Sequence, residues 1–191
     1  MKDYNENLLQ KMIEAKSNYR DISLEHWWNA EFNRWNWWLS LVLAIIPLYI
    51  WWKLLDKKRI LEICLYGLLI NIFSSYLDVY GSGYVLWEYP VRLIPNIPRI
   101  FPIDATVIPV VYMLIYQYFP KWKQFIIAHV IIAAVFAFVM EPMLVWMNLY
   151  RLMTWKFIYS FPIYIIMAVV CKATVIFFMK VQKKATKQFS K

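Results

Sequence analysis

Five long apolar stretches, separated by short charged connections, constrain this chain more than any other feature. They cover about residues 37–52, 60–77, 103–119, 125–149 and 157–179. A bilayer core about 30 Å thick is crossed by about 20 residues of α-helix, which rises about 1.5 Å per residue. A helix also satisfies its own backbone groups in lipid, and strand-like alternation is absent. The sequence therefore predicts an all-α integral membrane protein with five transmembrane helices.

The composition supports the same class. Of the 191 residues, 62% are hydrophobic and only 17% are charged, whereas a soluble domain has about 45–50% apolar and about 25% charged residues. The formal net charge is +9, but no RNA- or DNA-binding motif accompanies it. We therefore expect contacts with membrane lipids and no binding of nucleic acid.

The sequence divides into an arm at 1–36, a five-span membrane domain at 37–180 and a basic tail at 181–191. The arm has no apolar core of the kind found in signal peptides. Five of its apolar residues recur at spacings of four and three, which predicts a narrow stripe on an amphipathic helix. They are Leu8, Met12, Ala15, Tyr19 and Ile22. Two roles stay open for this helix: lying on the lipid headgroups, or pairing with a partner protein or a second copy.

The distribution of Lys and Arg predicts the orientation. With five spans, one side of the membrane receives eleven basic residues in short connections and the tail, and the other side receives six. Short loops rich in Lys and Arg stay in the cytoplasm. We therefore predict a multi-pass protein of the cytoplasmic membrane, with an external arm and a cytoplasmic C-terminus. The tryptophans around the first span, including Trp27, Trp37 and Trp52, are expected to anchor it at the interface.

Ionisable residues near the apolar stretches carry most of the functional information, because charges are costly in a membrane. Asp78 ends the second stretch, Asp104 opens the third and Glu141 lies late in the fourth. In an up-and-down arrangement these carboxylates fall toward the same membrane side. We predict one polar cluster there, either structural or ligand-binding. Its candidate members are Asp78, Glu88, Arg92, Arg99, Asp104 and Glu141.

The 79–102 connection is unusual for a loop. Gly81 and Gly83 predict a turn in which glycine supplies a positive φ. Four prolines then follow within residues 90–102 and block a continuous helix, although the segment is apolar. Such backbone is stable at membrane depth only when protein buries it or it lines a cavity. We predict a lid or re-entrant segment, whose Arg92 and Arg99 pair with the carboxylates or contact a ligand.

A second polar level is predicted in the opposite half of the membrane, where His129 and Lys172 come to similar depth. Lys172 can extend its ammonium toward the interface. The motifs of metalloproteases, P-loop proteins and serine hydrolases are absent from the chain. Cys64 and Cys171 lie inside the apolar stretches and are expected to be packing residues. We therefore predict no metal site and no cofactor, and leave the catalytic residues unassigned.

Several short motifs occur together between residues 60 and 180. They are Trp87-Glu88-Tyr89-Pro90, Ile97-Pro98-Arg99, Pro102-Ile103-Asp104, Glu141-Pro142 and Tyr159-Ser160-Phe161-Pro162. In these motifs the chain resembles an uncharacterised family of small multi-pass membrane proteins from spore-forming Gram-positive bacteria. The resemblance implies four to six membrane spans. It implies no activity and no catalytic residues, because the family has no assigned activity.

Three functions are compatible with the sequence. The favoured one is a non-enzymatic subunit of the cell envelope that binds partners or lipids, because catalytic motifs are absent. The second is a small enzyme that modifies lipids or isoprenoids, using Asp104, Glu141 and Arg99 around a cavity. The third is a proton- or ion-coupled transporter. A closed, fully salt-bridged external cluster favours the first function, and an apolar tunnel that ends at unpaired carboxylates favours the second. A water-filled path that joins Glu141 to the level of His129 and Lys172 favours the third.

Overall fold

A computed structural model describes residues 5–97 and 102–189, with side chains as far as residue 186. The fold is helical. Seven α-helices follow one another along this part of the chain: α1 (Glu6–His26), α2 (Trp35–Leu54), α3 (Ile60–Gly83), α4 (Ile108–Tyr118), α5 (Trp122–Val135), α6 (Glu141–Trp146) and α7 (Phe157–Phe189). Two short strands, β1 (Trp87–Glu88) and β2 (Arg151–Leu152), form an antiparallel pair in which Trp87 faces Leu152. The helical class is therefore confirmed.

In the part of the chain that the structure describes, four helices are long and apolar enough to cross a membrane, as the prediction of a membrane protein requires. They are Trp35–Leu54, Lys57–Gly83, Trp122–Trp146 and Phe157–Thr186. The predicted span at 103–119 is a shorter apolar helix, Ile103–Tyr118, which at about 1.5 Å per residue is about 24 Å long. α3 also extends to Gly83, six residues beyond the predicted end at 77.

The short helix α4 lies in the middle of the bundle, where it packs against α2, α3 and α5. Tyr112 is fully buried there, together with Tyr66 of α3 and Phe125 of α5. At one end of the bundle, Gln117 ties α4 to the connection after α2: its side-chain oxygen accepts from the Asp56 amide at 2.9 Å, and its amide donates to the Leu54 carbonyl. The ends of α2 and α4 therefore lie at the same level.

Among the described residues, three π-helical turns interrupt the regular helices, and each one places a buried carboxylate. They are Trp27–Glu31, which ends in Glu31, Ile103–Val107, which contains Asp104, and Phe136–Met140, which is followed directly by Glu141. Two of the turns are followed within two residues by Pro109 or Pro142. A proline lacks the N–H that an α-helical pattern needs, and π turns are frequent at functional sites.

Residues 84–97, here called the lid segment, pack against the bundle with almost no regular secondary structure. Trp87, Tyr89 and Val91 are buried, in agreement with the apolar character of the segment. The predicted turn at Gly81 and Gly83 is wrong, since both glycines are helical and neither has a positive φ. A side chain at Gly81 would overlap the indole ring of Trp87. This glycine therefore allows close packing of the lid segment and does not form a turn.

Candidate functional site

Asp78, Asp104 and Glu141 line one cavity of about 220 Å³, between α3, α4, α6, α7 and the lid segment. The fold therefore brings the three carboxylates to one site, as their predicted placement on the same side of the membrane requires. Apolar and aromatic side chains form the remaining wall. They include Leu86, Trp87, Ile103, Ile108, Leu144, Tyr150, Trp155 and Met167.

Hydroxyl groups, and not cations, contact two of the carboxylates. Glu141 accepts hydrogen bonds from the Ser160 hydroxyl at 3.1 Å and from the Tyr164 hydroxyl at 2.9 Å. Asp78 accepts from the Tyr89 hydroxyl at 2.6 Å, and its second oxygen is buried with no hydrogen-bond partner among residues 5–97 and 102–186. Burial and then the negative charges of Asp78 and Asp104 raise the pKa of Tyr89 well above its ordinary value. Tyr89 therefore stays protonated and remains a donor to Asp78.

The π turn explains how Asp104 is positioned. The Ile108 amide bonds to the Ile103 carbonyl, five residues back, and Pro109 has no N–H to offer. The Asp104 carbonyl is thereby left for α3, where it accepts from the side chains of Asn71 at 3.1 Å and Ser74 at 3.4 Å. These bonds lie near the middle of α3. The start of α4 is therefore level with the middle of α3 and not with its end.

The cavity is open on one side. Leu77 and Tyr80 on α3 belong to its wall and are 40% and 60% exposed. Ile163 of α7 belongs to the same wall and is also partly exposed. α3 and α7 are both long and apolar enough to cross a membrane. The exposed part of the cavity wall therefore belongs to two candidate membrane spans.

Arg92 does not contact the carboxylates of the cavity within the described part of the chain. It pairs instead with Glu31, which the sequence analysis missed, and the two groups are 2.6 Å apart. Glu31 also accepts from the Arg92 amide and contacts the His26 ring. Burial tends to lower the pKa of Arg92, but the hydrogen bonds and charge of Glu31 outweigh it and raise the pKa above its ordinary value.

The other predicted members of the cluster lie elsewhere. Glu88 points away from the cavity, into a second groove on the other side of the lid segment. Arg99 lies outside the described residues, so that its pairing with a carboxylate stays a prediction. Successive side chains of a strand point to opposite faces. Because Trp87 and Tyr89 both line the cavity, Glu88 between them faces the other way.

His129 and Lys172 are both buried at the other end of the bundle, as a second polar level. The two ring nitrogens of His129 contact the Phe125 carbonyl at 3.0 Å and the Tyr66 hydroxyl at 3.4 Å. The Lys172 ammonium donates to the carbonyls of Phe119 and Pro120, at 3.3 and 3.0 Å. These carbonyls follow the C-terminus of α4, where a cation is favourable. Both residues have structural contacts that account for their burial.

An aromatic layer separates the two polar levels. The Tyr112 ring contacts the His129 ring at a centroid distance of 4.8 Å and the Phe136 ring at 6.4 Å. Phe136 in turn contacts Tyr164, whose hydroxyl reaches Glu141. The structure therefore places packed rings between Glu141 and His129, where a transporter needs a water-filled path.

Two of the expected interfacial tryptophans have a different role. The indole N–H groups of Trp27 and Trp37 donate to the carbonyls of Arg92 and Leu93, at 2.9 and 3.3 Å. These tryptophans therefore hold the lid segment. Trp28, Trp35, Trp38 and Trp52 are exposed, as the prediction of an interfacial belt requires.

Comparison with protein-family models, with curated proteins and with solved structures gave no match to this chain. Among residues 5–97 and 102–189, no group of three or more His, Cys, Asp and Glu side chains is arranged to hold a metal ion. The polar groups in the cavity wall are carboxylates, phenols, the hydroxyls of Ser74 and Ser160, and the indole N–H groups of Trp87 and Trp155. The carboxylate and hydroxyl oxygens accept hydrogen bonds from amines and alcohols, and the carboxylates and phenols can also exchange protons.

Proposed function

We propose that this protein is a lipid-binding membrane protein, which holds the head of an amphiphile in the carboxylate cavity and leaves its chain in the bilayer. The observation that carries the proposal is the apolar cavity itself, whose wall combines buried carboxylates with partly exposed side chains of α3 and α7, two helices long enough to cross a membrane. At about 220 Å³, the cavity is smaller than the about 300–1,000 Å³ that enclose a drug-sized ligand. It suits a small head and the first carbons of a chain.

The carboxylates favour a head that donates hydrogen bonds. Asp78 has a buried oxygen to which no described residue donates a hydrogen bond, and a buried acceptor of this kind gains from any donor that reaches it. An amine or alcohol supplies such a donor, whereas the head of a fatty acid adds another negative charge. The proposed ligand is therefore a single-chain amine or alcohol.

The proposal includes the topology predicted from charge. Ile103–Tyr118 would act as the fifth span, entering the membrane below the lid segment, with the arm and lid outside and the tail in the cytoplasm. The basis is the excess of basic residues on one side, eleven against six. The exposed apolar stripe of α1 (Leu8, Met12, Tyr19 and Ile22) would lie on headgroups or contact a second copy.

Binding of 1-decylamine, 1-decanol and decanoate to the full chain in detergent tests the function. We expect the amine and the alcohol to bind and raise the melting temperature, and decanoate to leave it unchanged. Ile163→Trp places a larger side chain in the cavity wall and should weaken binding about tenfold or more, a loss of about 1.4 kcal/mol. Ile166→Trp is the matched control, because Ile166 is an exposed residue of α7 that does not line the cavity.

Equal binding of decanoate would overturn the assignment of an amine or alcohol head. Equal loss in both tryptophan variants would overturn binding in the carboxylate cavity. A second candidate is a lipid-modifying enzyme, which the contact between Glu141 and the Tyr164 hydroxyl favours because the two form an acid–base pair beside the cavity. Mass spectrometry of the bound amphiphile distinguishes the two functions. Recovery of the unchanged ligand supports binding alone, and a changed mass supports the enzyme.

A further inference from the structure

The apolar stripe of α1 is exposed as far as the structure describes the chain. Leu8, Met12, Ala15, Tyr19 and Ile22 all face outward, and α1 packs mainly against the π turn at Trp27–Glu31. Helices in proteins gain most of their stability from packing of an apolar face. The stripe therefore indicates contact with a surface other than the helices of the bundle.

The side of α1 that carries the stripe also contacts the lid segment. Ser23 is buried, and its hydroxyl contacts the Arg92 guanidinium at 2.9 Å. Tyr19 lies one turn earlier, and its hydroxyl contacts the same guanidinium at 3.5 Å. Met12 precedes Ser23 by eleven residues, which is about three helical turns, so it lies on that side as well. Toward the N-terminus of α1, where the side chains are exposed, this side therefore faces the surroundings of the bundle.

The charges of α1 are segregated around the stripe. A helix turns by about 100° per residue, which places Lys11 and Lys16 on the two flanks of the stripe, as the charged residues nearest to its middle. Arg20 lies farther round the helix, where it pairs with Asp21. The acidic residues all lie away from the stripe, toward the opposite side of the helix. They are Glu6, Glu14, Asp21 and Glu25.

This arrangement complements an anionic lipid surface better than a second copy of the helix. Lysines beside an apolar stripe reach the phosphates while the stripe enters the acyl boundary. A second copy would present the same lysines at the flanks, with its acidic residues on the far side. Helix pairs are instead stabilised by opposite charges at the flanks of their apolar seam.

Exposed tryptophans place the end of α1 close to the headgroups. Trp28 and Trp35 are 63% and 61% exposed, and tryptophan is enriched at the level of the headgroups. The candidate span α2 begins at Trp35, and residues 27–34 alone connect it to α1. The C-terminus of α1 is therefore within a short distance of the membrane surface.

We propose that α1 lies on the surface of the membrane, with its stripe at the acyl boundary and Lys11 and Lys16 at the phosphates of anionic phospholipids. This inference rests on the placement of the bundle in a membrane, which is part of the proposed function. It does not depend on the ligand of the carboxylate cavity.

Fluorescence quenching in lipid nanodiscs tests the contact in the full chain, with Cys64 and Cys171 replaced by Ala. A fluorophore is attached at Met12→Cys, in the stripe, or at Gln10→Cys, an exposed position on the opposite side of α1. The discs contain phosphatidylcholine alone or an equimolar mixture with phosphatidylglycerol, and a doxyl-labelled phosphatidylcholine is the quencher. We expect strong quenching at Met12→Cys in the mixed discs, weaker quenching in the neutral discs, and little at Gln10→Cys in either.

The lysines are tested in the same discs. Lys11→Gln with Lys16→Gln should reduce quenching at Met12→Cys in the mixed discs to the level of the neutral discs. The matched control is Lys121→Gln with Lys123→Gln, which removes two exposed charges at the start of α5 and should leave quenching unchanged. An equal loss in the two pairs, or equal quenching in the two kinds of disc, would overturn the assignment to anionic lipid.

Two other outcomes would overturn the contact itself. Equal quenching at Met12→Cys and Gln10→Cys would show that the stripe does not face lipid. Absence of quenching at Met12→Cys would do the same, and cross-linking of this cysteine to a second chain would then assign the stripe to a dimer. Binding of 1-decylamine to the same variants reports on the carboxylate cavity separately, so that failure of the α1 contact is distinguished from failure of the proposed function.

Discussion

Glu31 and Arg92 form a buried ion pair that joins the N-terminal arm to the lid segment, although 61 residues separate them in the chain. The Glu31 side chain is 0% exposed and the Arg92 side chain 10% exposed. Ser23 of α1 contacts the same guanidinium at 2.9 Å. The arm is therefore part of the folded unit and packs against the lid segment.

Removing one member of this pair should strongly destabilise the protein. Glu31→Gln leaves the Arg92 guanidinium buried without its counter-charge, and we expect a loss of about 3–5 kcal/mol. The double variant with Arg92→Met should regain part of that loss. Unfolding in detergent measures both. Asp21→Asn is the control, because the exposed Arg20–Asp21 pair should contribute about 0–1 kcal/mol. Equal effects of Glu31→Gln and Asp21→Asn would contradict a structural role for the buried pair.

Val85 is expected to be a site of backbone strain at the end of α3. Its φ is +54°, although a β-branched residue is rarely found in the left-handed region. The Val85 amide bonds to the Ser82 carbonyl and the Leu86 amide to the Gly81 carbonyl, which is the Schellman pattern that favours glycine at this position. Val85→Gly should therefore stabilise the protein by about 1 kcal/mol.

Asn148 provides the comparison for this prediction. It ends α6 with the same pair of bonds and a φ of +56°, but Asn tolerates this conformation better than Val. Asn148→Gly should change the melting temperature less than Val85→Gly does. A larger gain at Asn148 than at Val85 would refute the explanation by strain.

Gly81 and Gly83 should respond in opposite ways to alanine. Gly81→Ala inserts a methyl group into the space of the Trp87 ring, and overpacking of this kind costs about 1–3 kcal/mol. Gly83 has open space around its Cβ position, so that Gly83→Ala should be neutral or gain up to about 1 kcal/mol from helix propensity. Melting temperatures in detergent compare the two. If Trp87→Phe relieves the loss in Gly81→Ala, the cause is the indole ring.

The proposed topology is tested with single cysteines at Asn18 and Ser190, in a chain whose Cys64 and Cys171 are replaced by Ala. In intact cells an impermeant reagent should label Asn18→Cys and should not label Ser190→Cys. Permeabilised cells should label both. Labelling of both cysteines in intact cells would indicate four spans and contradict the fifth. Labelling of Ser190→Cys alone would reverse the orientation.

The sequence predicts the helices and the shared side of the carboxylates because both depend on local composition and on membrane thickness. Apolar runs long enough to span a bilayer have few alternatives to a helix, and the up-and-down order then places Asp78, Asp104 and Glu141 together. The partners of these groups depend on packing between distant segments. For this reason Tyr89, Ser160 and Tyr164 were missed.

Glu31 was missed for a related reason. It lies among tryptophans in the arm, and no local pattern connects it with Arg92. The π turns also escaped prediction, although Pro109 and Pro142 gave a signal for two of them, since each proline lies just beyond such a turn. Gly81 was misassigned to a turn because its role depends on the position of the Trp87 ring.

Glu141 accepts two hydrogen bonds from hydroxyl groups within the described part of the chain. Glu141→Gln keeps the size of the side chain but replaces one acceptor with a donor, so that one of the two hydroxyls must turn or lose its bond. We expect a loss of about 1–3 kcal/mol, the cost of one unsatisfied buried group. This loss is smaller than that expected for Glu31→Gln, where a buried charge is left alone. Tyr164→Phe and Ser160→Ala each remove one donor and should cost less than Glu141→Gln.

If the cavity binds an amine, Glu141→Gln should also abolish stabilisation by 1-decylamine, whereas Ser160→Ala should retain most of it. Unchanged amine binding in Glu141→Gln, together with reduced stability, would make Glu141 a purely structural residue.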